Sequence, residues 1–415
     1  MTPFARRLQA ASASAVVSDL DLPRIPWEGG SAYWNQFPKA AAAGWNDPSF
    51  FPILIDPCPF SSTEEILWDK AHGINAYAGS LNEWTPWDLL EPNGMFYLGD
   101  KYSYLPTGQM MPDDYPAWVG YRLGDETDGI FADPNEGYAH LQGLVDTYRA
   151  RNDGRFMYNN YTQMVVLQSW QQYGSPYVNN FTDAVSMDMY WYTIPDASYG
   201  NTYIPAVNGP ANPRSATSYG AMVRGMQYVD QDDGKRQPMW FYIENYSGGP
   251  AEQFVRYITP GELKGAVVSC LIAEARGIAW FNAAMSAPQG ASAYGNVLRS
   301  AQYDPSFPGM PQIVAMGEIN AQIHSLAPVL NTQSYVWSFG ANLETMLKTY
   351  GGYAYIFAMC MNGSSPSSRT FTLPPGIDGV VVEVVDEGRT LPVNTNQFTD
   401  SFAAEYSYHI YRIAL

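Results

Sequence analysis

Short apolar runs recur along most of the chain, each bounded by Gly, Pro, Asn or Asp, and most lead into a stretch with the apolar repeat of a helix. The runs predict eight strands: "FFPILID" (50–56), "INAYAGS" (74–80), "GMFYLGD" (94–100), "AWVGYRLGDE" (117–126), "RFMYNNYT" (155–162), "AVSMDMYWYTIP" (184–195), "QPMWFYIENYSGG" (237–249) and "IAWFNAAM" (278–285). Between them, "SSTEEILWDKAHG" (61–73) has Ser/Thr ahead of a Glu pair and ends on Gly73, the signature of a capped helix. Further helices are predicted over 136–154, 218–236, 260–277 and 311–330; the third of these has Pro at its start and Gly at its end.

Strands alternating with helices predict an α/β fold, a (β/α)8 TIM barrel over 46–331. A doubly wound open sheet is the alternative, but no Gly-rich phosphate loop follows the first strand. Beyond residue 332 the texture changes to "SYVWSFG", "YAYIFAMCMNG", "RTFTLP", "GVVVEVVDEGRTLPV" and "EYSYHIYRIAL". Their alternation of apolar and polar positions between turn residues predicts a C-terminal antiparallel β-sandwich over 332–415. Residues 1–45 read as an irregular arm, with room for a short helix in the early Ala/Ser stretch.

Composition narrows the chemistry. At 46% hydrophobic and 15% charged residues the chain carries a large core, and its net charge of −18 repels nucleic acid and anionic membranes. Cys58, Cys270 and Cys360, with His72, His140, His324 and His409, show neither metal-ligand spacing nor a disulfide framework, so no metal and no organic cofactor is expected. The start lacks the continuous apolar core of a signal peptide, and no run is long enough to insert in a membrane. The 12 Trp and 31 Tyr exceed what a core alone calls for, and flat rings with polar tips suit a carbohydrate.

In a barrel the working residues sit at the C-terminal ends of the strands. Asp125 and Glu126 end predicted strand four, Glu244 ends strand seven, Asp188 lies in strand six, Asp56 ends strand one and Glu83 follows strand two. Alternation puts Trp240, Tyr242 and Glu244 on one face of strand seven; on strand four it aims Glu126 inward and leaves Asp125 with Leu123 and Tyr121. Retaining glycosidases need two carboxyl groups about 5–5.5 Å apart, one to protonate the leaving oxygen and one to attack the anomeric carbon. Glu126 and Glu244 are the catalytic candidates, with burial and Asp125 raising the acid's pKa and Tyr190 or Tyr192 keeping Glu244 ionised. Asp188, Asn160 and Asn282 (with Asn159) are candidate partners for sugar hydroxyls, Trp84, Trp87, Trp191 and Trp280 are candidate stacking surfaces, and Trp240 and Tyr242 are further candidate substrate-binding residues. Each has a plainer reading: Asp125-Glu126 as the acidic first turn of a helix, Glu244 as a buried structural carboxylate, the rings as core.

The pattern resembles the retaining glycoside hydrolases of clan A. That resemblance implies an acid/base Glu ending strand four, a nucleophile Glu ending strand seven, a Tyr on strand six and a Trp on strand eight, places filled by Glu126, Glu244, Tyr190 or Tyr192, and Trp280. Asp125 departs from it, since the clan usually has Asn just before the acid/base. An adjacent Asp-Glu pair also suits substrate assistance on N-acetylated sugars, Asp125 orienting the acetamide and Glu126 acting as acid. The C-terminal stretch from "VVVEVVDEG" onward resembles the β-sandwich behind many such barrels. The chain, above all "FPKAAAAGWNDPSFFPI" (37–53), further resembles barrel-bearing minor tail proteins of phages that infect actinobacteria. That second resemblance implies a virion-tail or extracellular location, tail components and a homo-oligomer as partners, and a neutral cell-surface or cell-wall glycan as substrate. A carbohydrate-binding or receptor-recognition protein that kept the barrel without turnover is the competing reading.

Overall fold

The computed structural model describes residues 20–26, 30–79, 85–99, 109–167, 170–195, 197, 212–247, 256–284 and 296–415. All eight predicted barrel strands form: β1 (Ile53–Asp56), β2 (Ala76–Ala78), β3 (Phe96–Leu98), β4 (Trp118–Asp125), β5 (Phe156–Tyr161), β6 (Ala184–Asp188), β7 (Met239–Glu244) and β8 (Gly277–Phe281). Each pairs in parallel with the next, and β8 closes on β1. Short helices α1 (Gly30–Tyr33) and α2 (Pro38–Ala42) precede the barrel, and α3 (Thr63–Ala71) follows β1. After β4 come α4 (Thr127–Ile130) and α5 (Pro134–Arg149), then α6 (Gln171–Asn180), α7 (Ala216–Val229) and α8 (Pro260–Ile272) follow β5, β6 and β7. Helices α9 (Val297–Tyr303) and α10 (Met310–Leu330) complete the outer layer. The capping signals act as expected: Ser62 caps α3, and Thr259 with Glu262 forms a capping box on α8.

Small residues on some strands make room for large ones on others inside the barrel. Ala76 and Ala78 of β2, Ala184 of β6 and Ala279 of β8 face Phe156 and Tyr158 of β5 and Trp240 and Tyr242 of β7. The N-terminal arm is not irregular throughout. Its two short helices push Trp34 and Trp45 against Phe156 and Trp240, with ring centroids 5.0–6.3 Å apart, which seals the N-terminal end of the barrel with packed indole and phenyl rings. The early Ala/Ser stretch lies outside the described residues.

The C-terminal unit holds β9 (Leu343–Tyr350), β10 (Tyr353–Cys360), β11 (Ser368–Thr372), β12 (Val381–Val384), β13 (Arg389–Pro392), β14 (Gln397–Ser401) and β15 (Tyr408–Ala414). A five-stranded sheet in the order β13-β12-β15-β10-β9 lies over the β11-β14 pair, all antiparallel, with Ile356, Val382 and Tyr411 packed on Phe371 and Phe398. "SYVWSFG" does not form the first strand; it makes single bridges from Tyr335 to Arg24 and Leu347, and the strand is the more polar "LETMLKTY" that follows. That strand is covered on both faces, the second by the barrel: Met346 joins Phe357, Met359 and Ile410 in the core beneath the barrel helices, and Lys348 is buried beside Glu274.

Candidate active site

Five strands deliver polar side chains to the C-terminal mouth of the barrel, and these close into a ring of hydrogen bonds. Arg122 of β4 donates to Asp56 of β1 at 2.7 Å and to Asp125 at 3.1 Å. Asn160 of β5 donates to Asp125 at 2.9 Å and accepts from Ser186 of β6 at 2.7 Å. Ser186 meets the Tyr158 hydroxyl at 2.6 Å, Tyr158 reaches Tyr242 of β7 at 3.5 Å, and Tyr242 returns to Asp56 at 3.2 Å. Gly79, at φ 96°, ends β2 against this ring; a Cβ there would sit 2.2 Å from Arg122 Nη1 and 2.4 Å from Asp56 Oδ1.

Asp125 belongs to the ring because β4 carries a bulge. Arg122 pairs with Tyr158 and Asp125 with Asn160, so three steps on β4 match two on β5. The extra residue turns Asp125 inward, against the alternation that grouped it with Leu123 and Tyr121. Glu126 then leaves the strand in the left-handed region at φ 49°, ψ 36°, exposed and at the N-terminus of α4. For a residue with a Cβ this conformation is strained. It brings the Glu126 carboxylate near Asp188 of β6, close enough for its charge to act on that carboxyl.

Burial first, and then the charges of Glu126 and Asp125, push the Asp188 carboxyl well above the ordinary range. Asp188 also accepts from Asn160 at 3.2 Å and from Tyr190 at 3.4 Å. The Tyr190 ring stacks on Phe281 of β8, and its phenol feels the charges of Asp188, Asp125, Glu244 and Glu126 together. Carboxylates from β4, β6 and β7 thus all act on Tyr190, which bonds to the one on β6.

Glu244 is wholly buried. Its Oε1 accepts from Tyr219 of α7 at 2.8 Å and from Thr193 at 3.2 Å, while Oε2 has no hydrogen-bond partner among the described residues. Burial lifts its pKa to about 7 against the opposing pull of those two hydroxyls and of Arg256. Asp56 rises to about 6 for the same reason, restrained by Arg122 and Tyr242.

Several predicted residues stand elsewhere. Trp240 shares the inward face of β7 but lies near its N-terminal end, fully buried among the rings that seal the barrel, and so is remote in depth from the mouth. Trp280 points outward and donates to Asn320 of α10 at 3.1 Å; the aromatic residue of β8 that reaches the mouth is Phe281, one position on. Tyr192 turns away to Glu405 of the sandwich, and the tyrosine on Glu244 is Tyr219. The amide of Asn282 is consumed by Pro57, Asn296, Asn245 and Leu298, which ties β8 to β1. Trp84 and Glu83 lie outside the described residues. Asn160 and Tyr242 belong to the ring, where they hold carboxylates. Arg122, Tyr219, Thr193 and Phe281 were missed; for Arg122 the signal was a lone cation in an apolar strand, flanked two positions away on each side by Gly120 and Gly124.

No protein-family model and no curated protein matches the chain. Among solved structures, a glycoside hydrolase aligns over 88% of this chain and 92% of its own at 9% identity and a TM-score of 0.50. The likeness is one of fold, a closed parallel (β/α)8 barrel followed by an antiparallel sandwich. A GH30 endoxylanase from Clostridium papyrosolvens C71 aligns over 95% of this chain and 98% of its own, at 10% identity and a TM-score of 0.46. An Anoxybacillus alpha-amylase aligns over 89% and 98%, at 8% identity and a TM-score of 0.48.

Proposed function

We propose that the chain hydrolyses glycosidic bonds at the mouth of its barrel, with Glu126 as acid/base and Glu244 as the opposing carboxylate. The supporting observation is Tyr190, whose hydroxyl donates to Asp188 at 3.4 Å and lies in the field of both glutamates. Glu126, with Asp188 beside it, carries the proton that the leaving oxygen needs. Ionised Glu244 then attacks the anomeric carbon, and water releases the sugar with Glu126 as base. Because Glu244 must ionise to attack, kcat/KM falls with acid through a midpoint near 7. The mouth carries Asp56, Asp125, Glu126 and Asp188 against Arg122, which favours a neutral glycan over an anionic one.

A second reading is favoured by the burial of Glu244. If the substrate's own acetamide is the nucleophile, Asp125 orients it, Glu126 is the acid, and Glu244 is structural. Release of product from neutral and N-acetylated cell-wall glycan fragments, compared between the wild type, Glu126→Gln and Glu244→Gln, separates the two. Loss in both variants supports the two-glutamate reaction, loss in Glu126→Gln alone supports assistance, and full activity in Glu126→Gln removes both. A protein that binds these fragments without releasing product would be the non-catalytic recognition protein. The virion-tail setting rests on the 37–53 stretch; antibody against this chain decorating phage tail tips would support it.

A further inference from the structure

We propose that Glu405, which the β-sandwich lends to the barrel, is a positioning residue for Glu244, acting through Tyr192 and Tyr219. The inference rests on the reading of Glu244 as a working carboxylate. Glu405 lies in the segment before β15 and uses both oxygens on barrel groups: Oε1 accepts from the Tyr192 hydroxyl at 2.6 Å, and Oε2 from the backbone N–H of Ala216, first residue of α7, at 3.1 Å. It thereby joins the segment leaving β6 to the start of α7. Across the same junction, the backbone N–H of Tyr192 donates to the Tyr219 hydroxyl at 3.2 Å, and that hydroxyl donates to Glu244 Oε1 at 2.8 Å. With its acceptor role occupied by Tyr192, the Tyr219 hydroxyl is left with its proton aimed at Glu244.

The sandwich is held close enough for this by two glycines of α8. A Cβ on Gly261 would lie 2.5 Å from the Tyr406 ring, and one on Gly265 would lie 2.6 Å from the Tyr406 carbonyl oxygen, so the segment bearing Glu405 lies flush on the helix. Arg256 sits over the Tyr192 ring at 5.3 Å and is paired with Glu262 at 2.8 and 2.9 Å. The groups that face Glu244 are thus Tyr190 and Thr193 after β6, Tyr219 of α7, Cys270 of α8, and Arg256 ahead of α8. Of these, Tyr219 is the group that Glu405 holds in place.

The test reads Glu244 directly. In full-length protein labelled with 13C at the glutamate carboxyls, the Glu244 resonance is the one absent from Glu244→Gln, and its titration midpoint is followed in Glu405→Ala, Glu405→Gln and Tyr219→Phe. Losing a donor to a carboxylate raises its pKa, so Tyr219→Phe is expected to move the midpoint up by about one unit or more. Glu405→Ala should move it in the same direction by about half a unit and Glu405→Gln by less, since an amide still accepts one of the two bonds. A merely structural role for Glu405 would lower Tm and leave the midpoint in place. An unmoved midpoint in both Glu405 variants, or in Tyr219→Phe, overturns the inference. Failure of the catalytic reading looks different: Glu244→Gln would stay active while the midpoint still followed Glu405.

Discussion

Trp240 and Glu244 stand on the same face of the same strand, about 13 Å apart at the usual rise of β-structure. One is packed among Trp34, Trp45 and Phe156 at the sealed end of the barrel; the other closes a polar constellation at the open end. Both are fully buried. At the sealed end burial matches side chain to surroundings, and apolar contact stabilises the fold. At the mouth burial is imposed on ionisable groups, so it lifts pKa values and weakens the folded state in its charged form. Position along a strand, rather than face, separates structure from chemistry here.

Substitutions at the two ends should differ in sign as well as size. Trp240→Ala is expected to cost about 3–5 kcal/mol in urea unfolding, as for other large-to-small changes in a core. Activity per folded molecule should remain; its loss would mean the sealed end shapes the mouth. Glu244→Gln should do the reverse. A carboxyl whose folded pKa, about 7, exceeds its unfolded value near 4.5 adds stability that is complete below the unfolded value and is lost as pH rises through the folded one. The wild type should therefore weaken between about pH 5 and 8, while the variant lacks that slope and gains up to about 3 kcal/mol at pH 8. Parallel stability–pH curves for the two proteins would refute the buried charge.

Two smaller effects sharpen the contrast at the mouth. Gly79→Ala places a methyl against Arg122 and Asp56 at positive φ, and should cost roughly 1–3 kcal/mol and disturb the ring that holds Asp125. Unchanged stability would show that the ring yields without consequence. Glu126→Gly relieves a left-handed backbone and should gain about 1 kcal/mol while abolishing turnover. A loss of stability instead would mean that what the Glu126 side chain contributes outweighs the strain.

The barrel was legible because its strands are continuous apolar runs buried on both sides, a pattern that survives any loop composition. The site was legible in part. Alternation located Glu244 and the inward face of β7, but it counts residues evenly, and the bulge between Arg122 and Asp125 breaks that count. On β8 it could not say which of Trp280 and Phe281 faced inward, since both are large and apolar. Tyr219 lay beyond reach for another reason: its role comes from a helix packed against the strand, and a tyrosine on an apolar helix face reads as core. The strand "LETMLKTY" was passed over because its polar residues are satisfied by the barrel, a partner that local pattern does not see.

The sealed end also has a consequence for how the chain is made. Trp34 and Trp45 find their partners in Phe156 and Trp240. At roughly 5–20 residues per second of synthesis, those indoles leave the ribosome about 10–40 s before Trp240 is available to cover them. The nascent chain therefore carries these indoles without Trp240 for the 195 residues that separate Trp45 from it, and a shortened product ending before β7 would aggregate rather than wait.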